Sequence, residues 1–384
     1  MTVLRQRATE ATAVRRRVDK MVKPSVELAP PTNANARGTP SAVAVRPFEP
    51  GVAERWDRFV LAQSRGTFFH LLGWKRVIEK TFGFAPRYFY TEHNGKITGV
   101  APFFSVDNWI VGRCLLSVPL AVYGGVCAED AESEQALVEH VKRLAVSEQV
   151  DFLETRNRKG GLLPGFHPNS RYTTFTTCLP AKPEEALKRL PKDTRYMIRK
   201  AEKAGLLWRA GMDQLDQFYR LFALSMRRLG TPVFPRALFE NLAQEFPKQT
   251  DLLLIYAGAQ PVAGVFSFFF RDTILPYYAG ATPEATVLAA NNFMYWQLMK
   301  RAIESGLSVF DFGRSKKGTG AFAFKSQWNM NAEPLDYQVF LVRRKTTPNF
   351  SPVNPKFELA TRLWKRMPFW LTLRVGPHVV RWFP

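Results

Sequence analysis

Five charged side chains of the 384-residue chain fall in one short run, DFGRSKKGTGAFAFK (residues 311–325): Asp311, Arg314, Lys316, Lys317 and Lys325. Three cations and the glycines Gly313, Gly318 and Gly320 directly after an apolar strand suit the holding of an anionic group by backbone N–H and side-chain donors. The same composition also describes a solvated basic turn. Asp311 is flanked by phenylalanines, so it is either half of a buried ion pair with Arg314 or a polariser of an attacking amine. Lys325 lies among Phe322, Phe324 and Trp328. An ammonium held there stabilises a developing oxyanion or a phosphate if it faces a reaction centre, and otherwise snorkels to the surface.

The elements that must place these groups are legible around them. Phe293, Trp296, Leu298, Met299 and Ile303 carry helical spacings, and Gly306 supplies a stop. Val309, Phe310 and Phe312 then read as a short buried strand that ends at Gly313.

An internal repeat sets the architecture. ITGVAPFF (97–104) matches VAGVFSFF (262–269), and each follows a strand (Tyr88–Thr91, Leu252–Tyr256) and a turn (His93-Asn94-Gly95, Gly258-Ala259-Gln260), which is the pattern of a hairpin. Trp74 falls on Phe239 in an amphipathic helix, and Tyr123-Gly124-Gly125 answers Tyr278-Ala279-Gly280. Lys142-Arg143 then answers Lys300-Arg301, while Phe152 and Arg156 answer Phe310 and Arg314. Two tandem α/β units are expected, each a mixed β-sheet flanked by helices. The divisions are a basic disordered tail at 1–44, a first unit at 45–182, a second at 183–342, and a basic aromatic tail at 343–384. Trp74, Tyr123 and Arg156 are candidate pocket residues of the first unit, with core packing the alternative for Trp74 and Tyr123. At the head of the second unit, Arg195, Arg199 and Lys203 share a helical face. That helix is either a solvated interdomain element or a surface for an anionic partner.

Composition excludes several classes. The net charge of +21 is concentrated at the ends: residues 1–46 carry nine Lys/Arg and three Asp/Glu, and residues 343–384 carry nine against one. The remaining body has a surplus of only seven, which weakens a nucleic-acid reading of the whole chain. Three scattered cysteines and five scattered histidines offer no disulfide framework and no metal site. No run reaches the length of a membrane span and no signal-peptide core is present, so a cytoplasmic protein is expected. No nucleophile elbow, phosphate loop, dinucleotide fingerprint or HExxH motif occurs. In the last segment Arg362, Lys365, Arg366, Arg374 and Arg381 alternate with Leu363, Trp364, Phe369, Trp370, Val380, Trp382 and Phe383. This is either a basic amphipathic surface for the inner face of an anionic membrane or a helix packed on the body. The basic tails could equally grip a nucleic acid.

The order of the repeated units, followed by Phe312-Gly313-Arg314-Ser315 and Phe324-Lys325, resembles the FemAB family, two GNAT-type acyltransferase domains in tandem. The run RYMIRKAEKAG (195–205) resembles the segment that opens the second domain of that family. LGTPV (229–233), Ala290-Asn291-Asn292, FDFGRS (310–315) and Gly318-Thr319-Gly320 resemble its PEP-CTERM/exosortase-associated branch, linked with bacterial exopolysaccharide production. The resemblance implies transfer of an acyl or aminoacyl group to an amine of a cell-envelope or exopolysaccharide precursor. Phe324 and Lys325 would lie at the transfer point, with no permanently bound cofactor. It leaves aminoacyl-tRNA and acyl-CoA as donors. AGATPEAT (279–286) lacks the Q/R-x-x-G-x-G/A turn that cradles a coenzyme A pyrophosphate, and so does Gly124–Asp130. A non-catalytic scaffold of polysaccharide synthesis that kept the same fold is the alternative.

Overall fold

The computed structural model describes residues 43–348 and 358–384. Most of the basic tail expected at 1–44 lies outside the described residues. The first repeat contributes β1 (Ala44–Pro47), α1 (Ala53–Ala62), α2 (Leu72–Phe82), β2 (Ala85–His93), β3 (Lys96–Asn108), β4 (Gly112–Ser117), β5 (Cys127–Ala128), α3 (Ala131–Ser147), β6 (Phe152–Asn157), β7 (His167–Pro168) and β8 (Tyr172–Cys178). The second begins with α4 (Pro183–Arg189), α5 (Lys192–Lys203), β9 (Leu207–Ala210), α6 (Leu215–Leu229), α7 (Arg236–Glu245), β10 (Thr250–Ala257), β11 (Gln260–Phe270) and β12 (Thr273–Ala281). It continues with α8 (Glu284–Val287), α9 (Ala290–Glu304), β13 (Val309–Lys316), α10 (Gly320–Ser326), β14 (Asn331–Pro334) and β15 (Asp336–Leu341). Two further helices, α11 (Glu358–Arg366) and α12 (Phe369–Val380), close the chain.

The repeat is visible element by element. Strands β2 and β3 pair up to His93 and Lys96, and the two residues between them, Asn94 and Gly95, both have positive φ (48° and 75°). That is the two-residue hairpin turn an Asn-Gly pair favours, because its backbone twist matches that of the strands. The β10–β11 hairpin repeats the arrangement around Gly258 (φ 59°). Helices α3 and α9 correspond, and each leads into a strand that runs parallel to an earlier one, β6 beside β4 and β13 beside β12.

The last strand of each unit, however, crosses over. The first sheet runs β1-β2-β3-β4-β6-β15-β7, with β5 on β3; the second runs β14-β8-β13-β12-β11-β10-β9. Strand β8 follows the first unit in sequence but pairs with β13, and β15 follows the second unit but pairs with β6. A boundary at 182/183 therefore separates β8 from both of its neighbours. The helix at 188–203 does not bridge two domains either. It is α4 and α5, which pack against α9 with Thr194, Ile198 and Ala201 buried and Arg199, Lys200 and Lys203 exposed.

The two units also share a core. Phe68 of the first stacks on Phe268 of the second at 4.4 Å and meets Phe246 at 4.4 Å, with Trp74 edge-on to Phe268 at 5.9 Å. Trp74 is fully buried and donates its indole N–H to the Pro119 carbonyl at 3.4 Å. It is a core residue of the junction rather than a pocket wall. Because each half completes the other's sheet and covers its apolar face, fragments 43–182 and 183–384 are expected to fail to fold when made separately. Made together, they are expected to elute as one complex with native far-UV circular dichroism. Size-exclusion chromatography of the two preparations checks this.

Candidate active site

The site is built on an irregularity in β13. Its antiparallel register with β8 runs regularly from Val309↔Cys178 to Asp311↔Thr176, then slips and resumes at Arg314↔Thr174. Phe312 and Gly313 form the bulge, and Gly313 has φ 64°, a left-handed conformation that disfavours a side chain. The equivalent pairing in the first sheet, β15 on β6, runs without a slip from Asp336↔Asn157 to Leu341↔Phe152. Only the second unit has the distortion.

Two charged groups hold the bulge. The Lys325 ammonium donates to three successive carbonyls, Phe312 at 2.6 Å, Gly313 at 3.2 Å and Arg314 at 3.1 Å. It is delivered by α10, a short helix capped by Thr319, whose hydroxyl accepts from the Phe322 N–H at 3.3 Å. Loss of solvent around Lys325 lowers its pKa to about 8; Asp311 opposes the shift and Arg314 adds to it. Asp311, 1 % exposed, accepts from the Gly313 N–H at 2.7 Å, from the Thr174 hydroxyl at 3.2 Å, and from the Tyr123 hydroxyl at 3.1 and 3.0 Å. Burial raises the Asp311 pKa, against the pull of the nearby Arg158 and of these donors.

The expected Asp311–Arg314 pair is replaced by Asp311–Arg158, with 3.7 Å between Nη1 and Oδ2. The Arg158 guanidinium also lies 5.3 Å from the Tyr123 ring centroid. Arg314 instead packs 5.0 Å over Tyr172 and 5.9 Å from Tyr337, donating to the Tyr337 hydroxyl at 3.4 Å. Its cation is committed to those rings rather than open to an anion. Lys316 is half-buried at the strand end, where its carbonyl accepts from Thr319, and Lys317 is exposed on the following turn. Arg156 is buried in an ion pair with Glu154 at 2.7 Å and lines neither of the two cavities described below.

Phe324 belongs to an aromatic wall beside Lys325, 5.6 Å from Tyr295, 6.1 Å from Trp328 and 6.5 Å from Phe312. The basic helices α4 and α5 adjoin the far end of α10. Thr194 donates to the Gln327 carbonyl at 2.6 Å and Asn329 to the Arg189 carbonyl at 3.3 Å. Arg195 is half-buried and Arg199 exposed on this side.

On the opposite side of the bulge lies a cleft of about 250 Å³, lined by Arg65, His70, Tyr123, Gly125, Asn157, Arg158 and Lys159 among others. Tyr123 and Arg158 thus connect it to Asp311. Burial lowers the His70 pKa to about 4, so the ring is neutral. Its Nδ1 accepts from the Thr67 N–H at 3.2 Å, which leaves Nε2–H to donate to the Gly125 carbonyl at 2.8 Å and fix the glycine loop. A larger cavity of about 1180 Å³ lies between α1 and α9, lined by Asp272, Ile274 and Leu307 at the beginning of β12 and β13. At about 3.3 Å per strand residue, Val309 is some 13 Å from Gly313, so the smaller cleft is the one that meets the charged groups.

Strands β12 and β13 are in parallel register only at Thr273↔Val309 and Ile274↔Phe310. Beyond those pairs, the segment carrying Val118 and Leu120, both with positive φ, enters from the first unit. Tyr277 donates to the Leu120 carbonyl at 2.7 Å, Tyr337 to the Val122 carbonyl, and Tyr123 reaches Asp311.

Residues 188–326 match the acetyltransferase (GNAT) domain family. The whole fold is similar to the crystal structure of FemX, with a TM-score of 0.60 at 15% identity over 83% of this chain and 100% of that one. The fold as a whole is a tandem GNAT-like one, with the family match confined to the second unit. Its fold is also similar to the C-terminal domain of a putative lysylphosphatidylglycerol synthetase from Agrobacterium fabrum, with TM-score 0.53, 12% identity, and 85% and 96% of the two chains covered. A tandem GNAT protein from the clavulanic acid biosynthesis pathway matches with TM-score 0.50, 9% identity, and coverage of 80% and 99%. No curated protein sequence matches the chain.

Sequence reading missed Arg158 and Thr174. Arg158 was within reach: the spacing that relates Arg156 to Arg314 also relates Arg158 to Lys316. Thr174 had no such signal, since its role depends on the strand exchange. Removing the Tyr123 hydroxyl leaves a buried carboxylate short of donors, so Tyr123→Phe is expected to cost about 1–3 kcal/mol of stability. Chemical denaturation followed by tryptophan fluorescence measures it. Arg314→Lys, with its stacked guanidinium lost, is expected to destabilise as well, whereas Lys317→Ala is expected to be neutral within about 0.5 kcal/mol.

Proposed function

We propose that the chain transfers an acyl or aminoacyl group to an amine of a cell-envelope or exopolysaccharide precursor. The carrying observation is the half-buried Lys325 ammonium, held on the β13 bulge beside the Phe324 wall, in the unit that matches the GNAT domain family. The amine nitrogen attacks the acyl carbonyl, a C–N bond forms, and the bond to the donor's oxygen or sulfur breaks, with net passage of the amine proton to that leaving atom. Lys325 exchanges one of its three carbonyl contacts for the developing oxyanion. Asp311 acts as a positioning residue: it holds the Gly313 N–H, Tyr123 and Arg158, so it sets the shape of the bulge and of the cleft wall. Arg158 and Lys159, whose carboxylate partners Asp311 and Glu333 lie at 3.7 and 3.3 Å, suit an anionic portion of the precursor in that cleft, whereas Arg65 is held by both oxygens of Glu134.

Aminoacyl-tRNA is the donor we favour. The β12–α8 connection lacks a pyrophosphate turn, the first unit's own segment fills the gap between β12 and β13, and the basic α4–α5 face adjoins the Lys325 helix. The acceptor class rests on the short motifs at 229–233, 290–292 and 310–320. Saturation of Asp311 and Lys325 by protein partners favours a second reading, a non-catalytic scaffold of polysaccharide synthesis.

Mass spectrometry of a precursor extract incubated with charged tRNA, and separately with acyl-CoA, tests these readings. A new aminoacyl adduct only with charged tRNA is the expected result; an adduct only with acyl-CoA overturns the donor, and none with either favours the scaffold. Lys325→Ala is expected to retain the native circular dichroism spectrum and lose about 10²–10³-fold in rate. Because the ammonium form is required and its pKa is lowered to about 8, the rate is expected to decline as pH rises through about 8. The sign for stability is the reverse: the folded state disfavours the charged form, so this residue's unfavourable contribution is relieved between about pH 8 and the unfolded lysine value near 10.4.

A further inference from the structure

The helix pair α11–α12 carries an unusual distribution of side chains. Residues 358–384 contain Arg362, Lys365, Arg366, Arg374 and Arg381 against one carboxylate, Glu358. Helix α11 turns Thr361 and Trp364 towards the body, and Thr361 lies against Gly230 at the end of α6. At about 100° per residue, Leu359, Arg362, Leu363 and Arg366 then fall on one arc of roughly 100° facing away from it. Leu359 is 69% exposed and Leu363 56%. Helix α12 is anchored through Thr372, Gly376 and Val380, all buried, and through Phe369 and Leu373 on the main core. Its opposite arc holds Trp370, 65% exposed, with Arg374 and His378. The β3–β4 turn adds Trp109, 78% exposed, whose ring lies 5.4 Å from that of Trp382 after α12. Both helices are fixed to the protein, since Arg227 donates to the Met367 carbonyl at 2.7 Å and Arg381 to the Phe82 carbonyl at 3.1 Å. Their outward leucines and tryptophans are therefore held in place and, among the described residues, uncovered.

We infer that this face, formed by α11, α12 and the Trp109 turn, docks onto the surface of an anionic lipid bilayer. Leucine between arginines is the arrangement of a helix lying in an interface, where the apolar groups enter the acyl boundary and the guanidinium groups reach the headgroup phosphates. Tryptophan suits the same depth, with an apolar body and one polar N–H. Among the described residues no helix is long and apolar enough to cross a membrane, so the contact is peripheral. A second copy of the chain is a poor occupant, because a twofold interface through this face would bring two like-charged basic surfaces together with only Glu358 from each to oppose them. RNA would satisfy the arginines but leave Leu359 and Leu363 uncovered, since they offer no ring for a base to stack on.

Co-sedimentation with vesicles tests the inference, using pure phosphatidylcholine and an equimolar mixture with phosphatidylglycerol, each across a salt series. The expected result is binding to the mixed vesicles only, weakened by salt, with a blue shift of tryptophan fluorescence. Trp109→Ala with Trp370→Ala, and separately Arg366→Glu with Arg374→Glu, are expected to reduce binding by at least about tenfold at an unchanged melting temperature. The inference is overturned if mixed vesicles do not bind, if pure phosphatidylcholine binds equally, or if both variants bind like the parent. It is overturned too if the parent is a dimer without lipid and the tryptophan variant is monomeric, or if the face binds tRNA but not vesicles. These readouts need no acyl donor, so they succeed or fail independently of the transferase reading.

Discussion

The bulge at Phe312–Gly313 is the constraint on which the candidate site depends. A slipped register leaves backbone groups without ladder partners, and buried polar groups without partners are costly. Here the carbonyls of residues 312–314 turn to one ammonium, and the Gly313 N–H turns to one carboxylate. The distortion thereby brings a cation and an anion to the two sides of one strand. Each is partly desolvated, which explains why the Lys325 pKa falls and the Asp311 pKa rises although opposite charges lie nearby.

The strand exchange makes that arrangement possible. Thr174, which bonds Asp311, is on a strand supplied from the first unit's side of the sequence. Tyr123 and Arg158 also come from the first unit, so the environment of Asp311 is assembled from both repeats. The shared aromatic core around Phe68, Trp74 and Phe268 holds the units in one relation. The first unit therefore has a chemical part, as the wall of the cleft and the clamp on Asp311, even though its equivalent pairing, β6 with β15, has no bulge.

Much of this was legible in the chain. The alternation around Asn94-Gly95, the spacing of Phe293, Trp296 and Ile303, and the matches between 97–104 and 262–269 identified hairpins, a helix and two units because local periodicity and turn chemistry specify them. Asp311 and Lys325 stood out because a charge among phenylalanines needs a partner. Their partners did not follow: Arg314 is nearer in sequence than Arg158, yet it faces Tyr172 and Tyr337. Trp74 and Arg156 looked available as pocket residues because burial between units leaves no mark on the neighbouring residues.

By itself the sequence determined a tandem α/β chain, the second repeat as the one carrying the additional cations and glycines, and charge gathered towards its ends. These are properties of composition and of contacts within a few residues. Only the tertiary structure decided which strand completes which sheet, which arginine meets Asp311, and that Lys325 caps three carbonyls. Strand pairing uses backbone groups common to every residue, so β8 and β15 carry no side-chain label for the sheet they join. The outward face of Leu359, Leu363 and Trp370 was hidden for a related reason: a helical repeat shows that two faces differ, and only packing shows which one is turned to the protein.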